Sequence, residues 1–158
     1  MQTPVISLLE QHQVPFTLLP HSQPVFTVED AARQRGVVPE QMVKSILVRD
    51  MGGLYALACV PGLKQVDPKR VRAQFNCRRM TCADSDDVLR VTGFQIGAVA
   101  PIALATQLPV IFDRQLLAHR TVNISSGDRM AGIELALDDL MALCKPQLAD
   151  ICRDQERL

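Results

Sequence analysis

Tryptophan is absent from this chain, tyrosine occurs once and phenylalanine five times. A protein that reads single strands by stacking bases needs a row of aromatic platforms, and this sequence does not supply one. No apolar run is long enough to span a bilayer. The opening MQTPVISLLEQHQ has no basic region followed by a long apolar stretch, so no secretory signal is expected there. Histidine is scarce. His12, His21 and His119 stand at no metal-ligand spacing, so no metal site is expected. The cysteines (Cys59, Cys77, Cys82, Cys144 and Cys152) are odd in number and form no CxxC pair. A reducing cytoplasm is their natural setting. Cys59 and Cys144 fall in apolar stretches and read as small core residues. GxSxG, HExxH and GxxxxGK are missing too. A thiol nucleophile is poorly supported, because no cysteine lies near a histidine in a loop.

What is present fits one globular domain spanning residues 1–158. Hydrophobic residues make up 47% of the 158 and charged ones 22%. The formal net charge is zero, but it is unevenly spread. Lys64, Lys69, Arg70, Arg72, Arg78 and Arg79 face only Asp67 within one short stretch, a local charge of +5. Such a patch attracts a polyanion without making the whole molecule basic. A solvated helix face beside a strand edge gives the same pattern.

The order of elements reads as mixed α/β. Thr3-Pro4 starts a helix, and Val14 to Leu19 alternates as a strand. Thr27 to Asp30 is a capping box for a helix that Gly36 closes. Pro39 to Gln41 is a turn. Val43 to Arg49 and Leu54 to Val60 form a hairpin about Gly52-Gly53. Asp67-Pro68 caps a helix to about Phe75. Cys77 to Thr81 reads as a strand and Asp84 to Arg90 as a helix. Val91 to Leu104, with two glycines and a proline, is neither. Pro109 to Asp113, Thr121 to Ser125 and Gly132 to Leu137 read as strands. A helix capped by Asp138 follows to Leu143, and a last helix covers Gln147 to about Arg153. The expected fold is a mixed, largely antiparallel sheet with surrounding helices, curled towards a barrel.

Within MVKSILV, alternation puts Lys44 on one face with Ile46 and Val48. An ammonium on an apolar face must snorkel out, find a partner or face a cleft. Two small-residue segments are candidates to lie beside it: Thr92-Gly93 to Gly97, and NISSGDR from Asn123 to Arg129. Glycines there let a ligand approach peptide N–H groups that hold an oxyanion or phosphate. Tight turns between strands account equally for both segments.

The ordered set TVEDAARQRGVVPEQMVKSILV, VTGFQIGAVAPIAL, PVIFD and VNISSGDRMAGIELALDDLMAL resembles the YbaK/EbsC family, which is related to the editing insertion domain of prolyl-tRNA synthetase. The resemblance covers nearly the whole chain. It implies a mixed α/β domain around an irregular, barrel-like sheet. It implies a free-standing deacylase that hydrolyses the ester of a mischarged tRNA, often one for proline carrying cysteine or alanine. No cofactor is implied. The implied partners are the aminoacylated acceptor end of tRNA and prolyl-tRNA synthetase, with neither DNA nor a membrane. The family's near-invariant lysine falls on Lys44 and its glycine near the reacting ester on Gly97, the two expected catalytic positions. Substrate binding is expected from Thr27, Ser45, Thr92, Gly93, Pro101, Ser125 and Gly127. Phosphate contacts to the acceptor stem are expected from Lys64, Lys69, Arg70 and Arg72.

An aminoacyl ester is already activated, so positioning and charge suffice for its hydrolysis. Lys44 would hold the terminal phosphate or carbonyl side, and the Gly97 N–H would face the developing oxyanion. Thr27, Ser45 and Ser125 would orient the ribose or amino group. Two departures stand out. The family often reads GGxSPxG where this chain has Gly97-Ala98-Val99-Ala100-Pro101-Ile102-Ala103, and the added methyls are expected to narrow the pocket. An acid often precedes IEL, where this chain has Gly132. A non-catalytic module binding tRNA or a synthetase through the same cleft is the rival from another class. A hydrolase for a small ester is a second.

Overall fold

The computed structural model describes residues 1–154. Helix α1 (Pro4–Gln11) starts where Thr3 Oγ accepts the Ile6 N–H at 3.2 Å, and Pro4 stands in its first turn, where no donor is needed. Strand β1 (Phe16–Pro20) follows. Helix α2 (Val28–Arg35) is capped by Thr27, whose Oγ accepts the Asp30 N–H at 3.1 Å, and Gly36 closes it. A short 3-10 turn, Pro39–Gln41, leads into strand β2 (Val43–Asp50). The remaining elements are β3 (Tyr55–Pro61), α3 (Pro68–Phe75), β4 (Met80–Cys82), α4 (Ser85–Thr92), β5 (Val110–Asp113), β6 (Thr121–Ser125), β7 (Ala131–Ala136), α5 (Leu137–Cys144) and β8 (Gln147–Ala149).

The strands form two sheets. One has the order β1-β7-β6 and is antiparallel throughout. The other has the order β4-β2-β3-β5-β8, with parallel pairings at β3–β5 and β5–β8. Strand β3 lies at the centre of the second sheet and is buried on both faces, which is why its sequence ALACVP is apolar without alternation. Val43, Leu47, Leu57 and Phe112 pack on one side with Val5, Leu9, Ile124 and Ile133. Val48, Val60 and Ile111 pack on the other side with Val71 of α3 and Ile151.

The mixed, largely antiparallel α/β expectation holds, but the sheet does not close into a barrel. Among the described residues the two sheets share a single ladder contact, the parallel bridge between Met42 and Asn123. The expected terminal helix from Gln147 is also corrected. Gln147 to Ala149 pair with Ile111 to Asp113 as a strand, and the Ile151 and Cys152 N–H groups donate to Asp113 at 2.8 and 3.1 Å. Those partners are distant in sequence and overrode the local pattern. Asp138 does not cap α5. The helix begins at Leu137, and Asp138 and Asp139 sit in its first turn, where negative charge suits the dipole. Helix α4 takes Val91 and Thr92 from the stretch expected to be irregular.

Candidate active site

Strands β2 and β6 leave the Met42–Asn123 bridge in the same direction and pair no further. On the same side, β2 meets β4 only from Val48 onward. The edge of β2 between these points is therefore open. An open edge presents side chains from both faces to one space, and Val43, Lys44, Ser45 and Ile46 all line a cavity of about 380 Å³. The wedge where the barrel fails to close is the cavity.

Lys44 is half-buried, and no carboxylate among the described residues lies within 4 Å of it. Burial pulls its ammonium below the ordinary lysine range, opposed by Cys152 and Glu29. The face it shares with Ile46 and Val48 is covered further along the strand by Val71 and Met80. Lys44 sits where that cover ends. Gly97 is the third residue of a turn closed by Ala98 N–H to Gln95 C=O at 2.9 Å, and its φ of +84° is one that residues with a Cβ rarely adopt. Its own N–H makes no backbone hydrogen bond among the described residues. Ser125 Oγ donates to Ala98 C=O at 2.7 Å and accepts the Gly127 N–H at 3.0 Å, which fastens the Gly97 turn to the end of β6. Ser45 Oγ lies 3.4 Å from Cys59 Sγ. Thr27 lines the cavity while capping α2.

Thr92, Gly93, Pro101 and Gly127 do not line this cavity. Thr92 is fully buried. Its Oγ donates to Val88 C=O at 2.6 Å and accepts the Phe94 N–H at 3.1 Å. Gly93 closes α4, and Gly127 packs so tightly on Phe94 that a Cβ would sit 2.9 Å from the ring. These residues shape the loop that carries Gly97. Pro101 lies in a separate depression with Ala103. Neither Ala98 nor Ala103 lines the cavity, so their methyls do not narrow it. Among the basic residues, Arg70 donates to Cys152 C=O at 2.8 Å and Asp154 at 2.7 Å, and Arg72 donates to Arg78 C=O at 2.7 Å. Both guanidinium groups are committed to the fold. Lys69, Arg78 and Arg79 are exposed and make no ion pair among the described residues.

Two basic residues of the cavity escaped the sequence reading. Arg129 donates to Gln95 Oε1 at 2.8 Å and to Ile96 C=O, and lies 5.0 Å over the exposed Phe26 ring. It braces the Gly97 turn. Arg35 donates from Nε to His21 Nε2 at 3.0 Å. The signal for Arg129 was its place in NISSGDR. Arg35, at the end of a short polar helix, gave none.

His21 is buried and its Nδ1 donates to Arg129 C=O at 2.8 Å, leaving Nε2 as acceptor for Arg35. Burial is the main force lowering its pKa below 6.5; Arg35 adds to it, while the Arg129 carbonyl and Asp128 oppose it. The native state therefore binds its proton later than the unfolded chain. This contribution to stability is whole above pH 6.5 and is lost as pH falls through the native value. Urea midpoints are expected to drop as pH falls below 6.5 in wild type, and by less in His21→Gln.

Cys59, Cys144 and Cys152 are kept protonated by burial, the latter two pushed up to about 12. Cys82 lines the cavity with no histidine in the lining. A pocket so built suits an acyl ester that brings its own reactivity and needs holding and polarising. Residues 22–143 match the model of the aminoacyl-tRNA editing domain, and the chain belongs to that family. It is similar to YwhH of Bacillus subtilis, 32% identical over 131 residues, 82% of this chain and 83% of that one. It is also similar to EbsC of Enterococcus faecalis, named as a candidate Cys-tRNA(Pro)/Cys-tRNA(Cys) deacylase, at 23% identity across 95% and 93% of the two chains. The crystal structure of a candidate trans-editing enzyme for prolyl-tRNA synthetase superposes with a TM-score of 0.83 at 26% identity, covering 98% of this chain and 99% of that one.

Proposed function

We propose that the protein hydrolyses the ester of a mischarged aminoacyl-tRNA in the cytoplasm, on a tRNA for proline carrying a small amino acid. The observation that carries this reading is the open edge of β2, which sets Lys44 in the same cavity as the Gly97 turn. Water attacks the carbonyl carbon, the bond to the ribose oxygen breaks, and the proton lost by water ends on that oxygen. The Lys44 charge stabilises the negative charge that grows on the way, or fixes the terminal phosphate beside it. The Gly97 N–H is a donor for the oxyanion. Ser125 and Arg129 hold that donor in place.

Gly62 and Cys82 line the cavity and bracket the basic segment in sequence, which favours its exposed cations as contacts for the acceptor stem. Lys69→Glu with Arg79→Glu is expected to raise KM for charged tRNA by about tenfold and to weaken its salt dependence. Release from the aminoacyl ester of free adenosine is expected to stay unchanged. Equal effects on both substrates remove the tRNA body from the reading. The test of the function is release of amino acid from prolyl-specific tRNA charged with alanine, cysteine or serine. Binding of the panel without release by the intact chain leaves a non-catalytic module in its place.

A further inference from the structure

Arg35 occupies the cavity without a negative partner. It ends α2 and lines the same cavity as Lys44. Its Nε is engaged by His21, a neutral ring that supplies a lone pair and no charge. Among the described residues no carboxylate lies within 4 Å of the guanidinium, and neither terminal nitrogen makes a hydrogen bond. Burial pulls its pKa down to about 10. Arg35 is half-buried, and a guanidinium part-way out of water gains when an acceptor meets it.

The space it fills is equally specific. A Cβ built on Gly132 would lie 2.1 Å from Arg35 Nε and 2.2 Å from Cζ. Arg35 lies there only because position 132 has no side chain.

We propose that Arg35 is a specificity residue whose terminal nitrogens receive an oxygen of the substrate's acyl side chain. The pocket then prefers an amino acid ending in a hydroxyl or carboxylate over an apolar one of similar size. This rests on the deacylase reading above. An apolar side chain excludes water from the guanidinium and returns nothing to it, the situation in which a polar site discriminates most strongly.

The experiment compares kcat/KM for one tRNA body charged with serine, aspartate or alanine. The proteins are the full chain, Arg35→Met and Gly132→Asp. Arg35→Met removes the charge and keeps the stem. Gly132→Asp displaces the guanidinium or pairs it. One deletes polar atoms and the other adds bulk, so a change in either folded variant reads the charge. Wild type is expected to release serine or aspartate at least about tenfold faster than alanine, and the variants to bring that ratio near one. Alanine released fastest by wild type, or a ratio unmoved in a folded variant, overturns the proposal. An equal loss for all three esters also overturns it and moves Arg35 onto a phosphate of the tRNA. Release of none of them by wild type sinks the deacylase reading as well, whereas release without side-chain preference sinks this inference alone.

Discussion

Lys44→Ala lowers the deacylation rate by about 10²–10³-fold while the melting temperature stays near that of wild type. The two halves of this expectation have separate origins. The loss of rate follows because a fixed, half-buried charge beside a developing oxyanion is screened less than in bulk water. The unchanged stability follows because Lys44 is half-buried, held below its ordinary pKa by desolvation, and paired with no carboxylate among the described residues. Removing such a group relieves a desolvation cost and breaks no ion pair. Lys44→Met is the sharper variant, since it keeps the apolar stem and deletes only the charge. The readout is single-turnover release of amino acid beside a thermal melt. Rates within a few-fold of wild type in both variants would make Lys44 a strand residue with no part in the chemistry.

Asp113→Ala is expected to destabilise the protein by about 3–5 kcal/mol, the largest stability effect of a single carboxylate in this fold. Asp113 is 1% exposed and accepts the N–H groups of Gln115 at 2.8 Å, Ile151 at 2.8 Å and Cys152 at 3.1 Å. Burial alone would raise its pKa, but these bonds outweigh burial and hold it below the ordinary carboxylate value of 3.8. Its stabilisation is therefore complete above pH 3.8 and is lost as pH falls through the lower native value. Chemical denaturation is expected to show the loss at neutral pH, with hydrogen exchange locating it at β8 and Ile151. Asp113→Asn keeps one acceptor oxygen and gives up the charge, so it falls between. A loss under about 1 kcal/mol for Asp113→Ala would mean that water meets the three freed donors.

The same contact explains what the sequence could not disclose. Local signals placed α1, α2, α3 and α4 well, because Thr3, Thr27, Asp67 and Asp84 each accept a hydrogen bond from a residue two or three positions ahead. The β2–β3 hairpin was legible through Gly52-Gly53. The segment from Gln147 was not, because its partners are β5 and Asp113, more than thirty residues upstream in sequence. The failure of the barrel to close was equally hidden. It depends on β2 and β6 touching once and parting, a relation that no window of sequence contains. Lys44 was conspicuous because a charge broke an apolar alternation. Arg35 was silent, since an arginine at the end of a polar helix is ordinary until Gly132 is seen beneath it.

The floor and the walls of the cavity are made of unlike material. Lys44 and Ser45 stand on a strand paired with β3 over seven consecutive residues, next to the centre of the five-stranded sheet. Much of the lining beside them comes from the end of α2, the 93–99 loop and the β6–β7 turn. A change at these margins therefore reshapes the cavity without disturbing the pairing of the strand that holds the lysine. Arg35 and Gly132 stand at such a margin: the guanidinium fills the space that a side chain at position 132 would take.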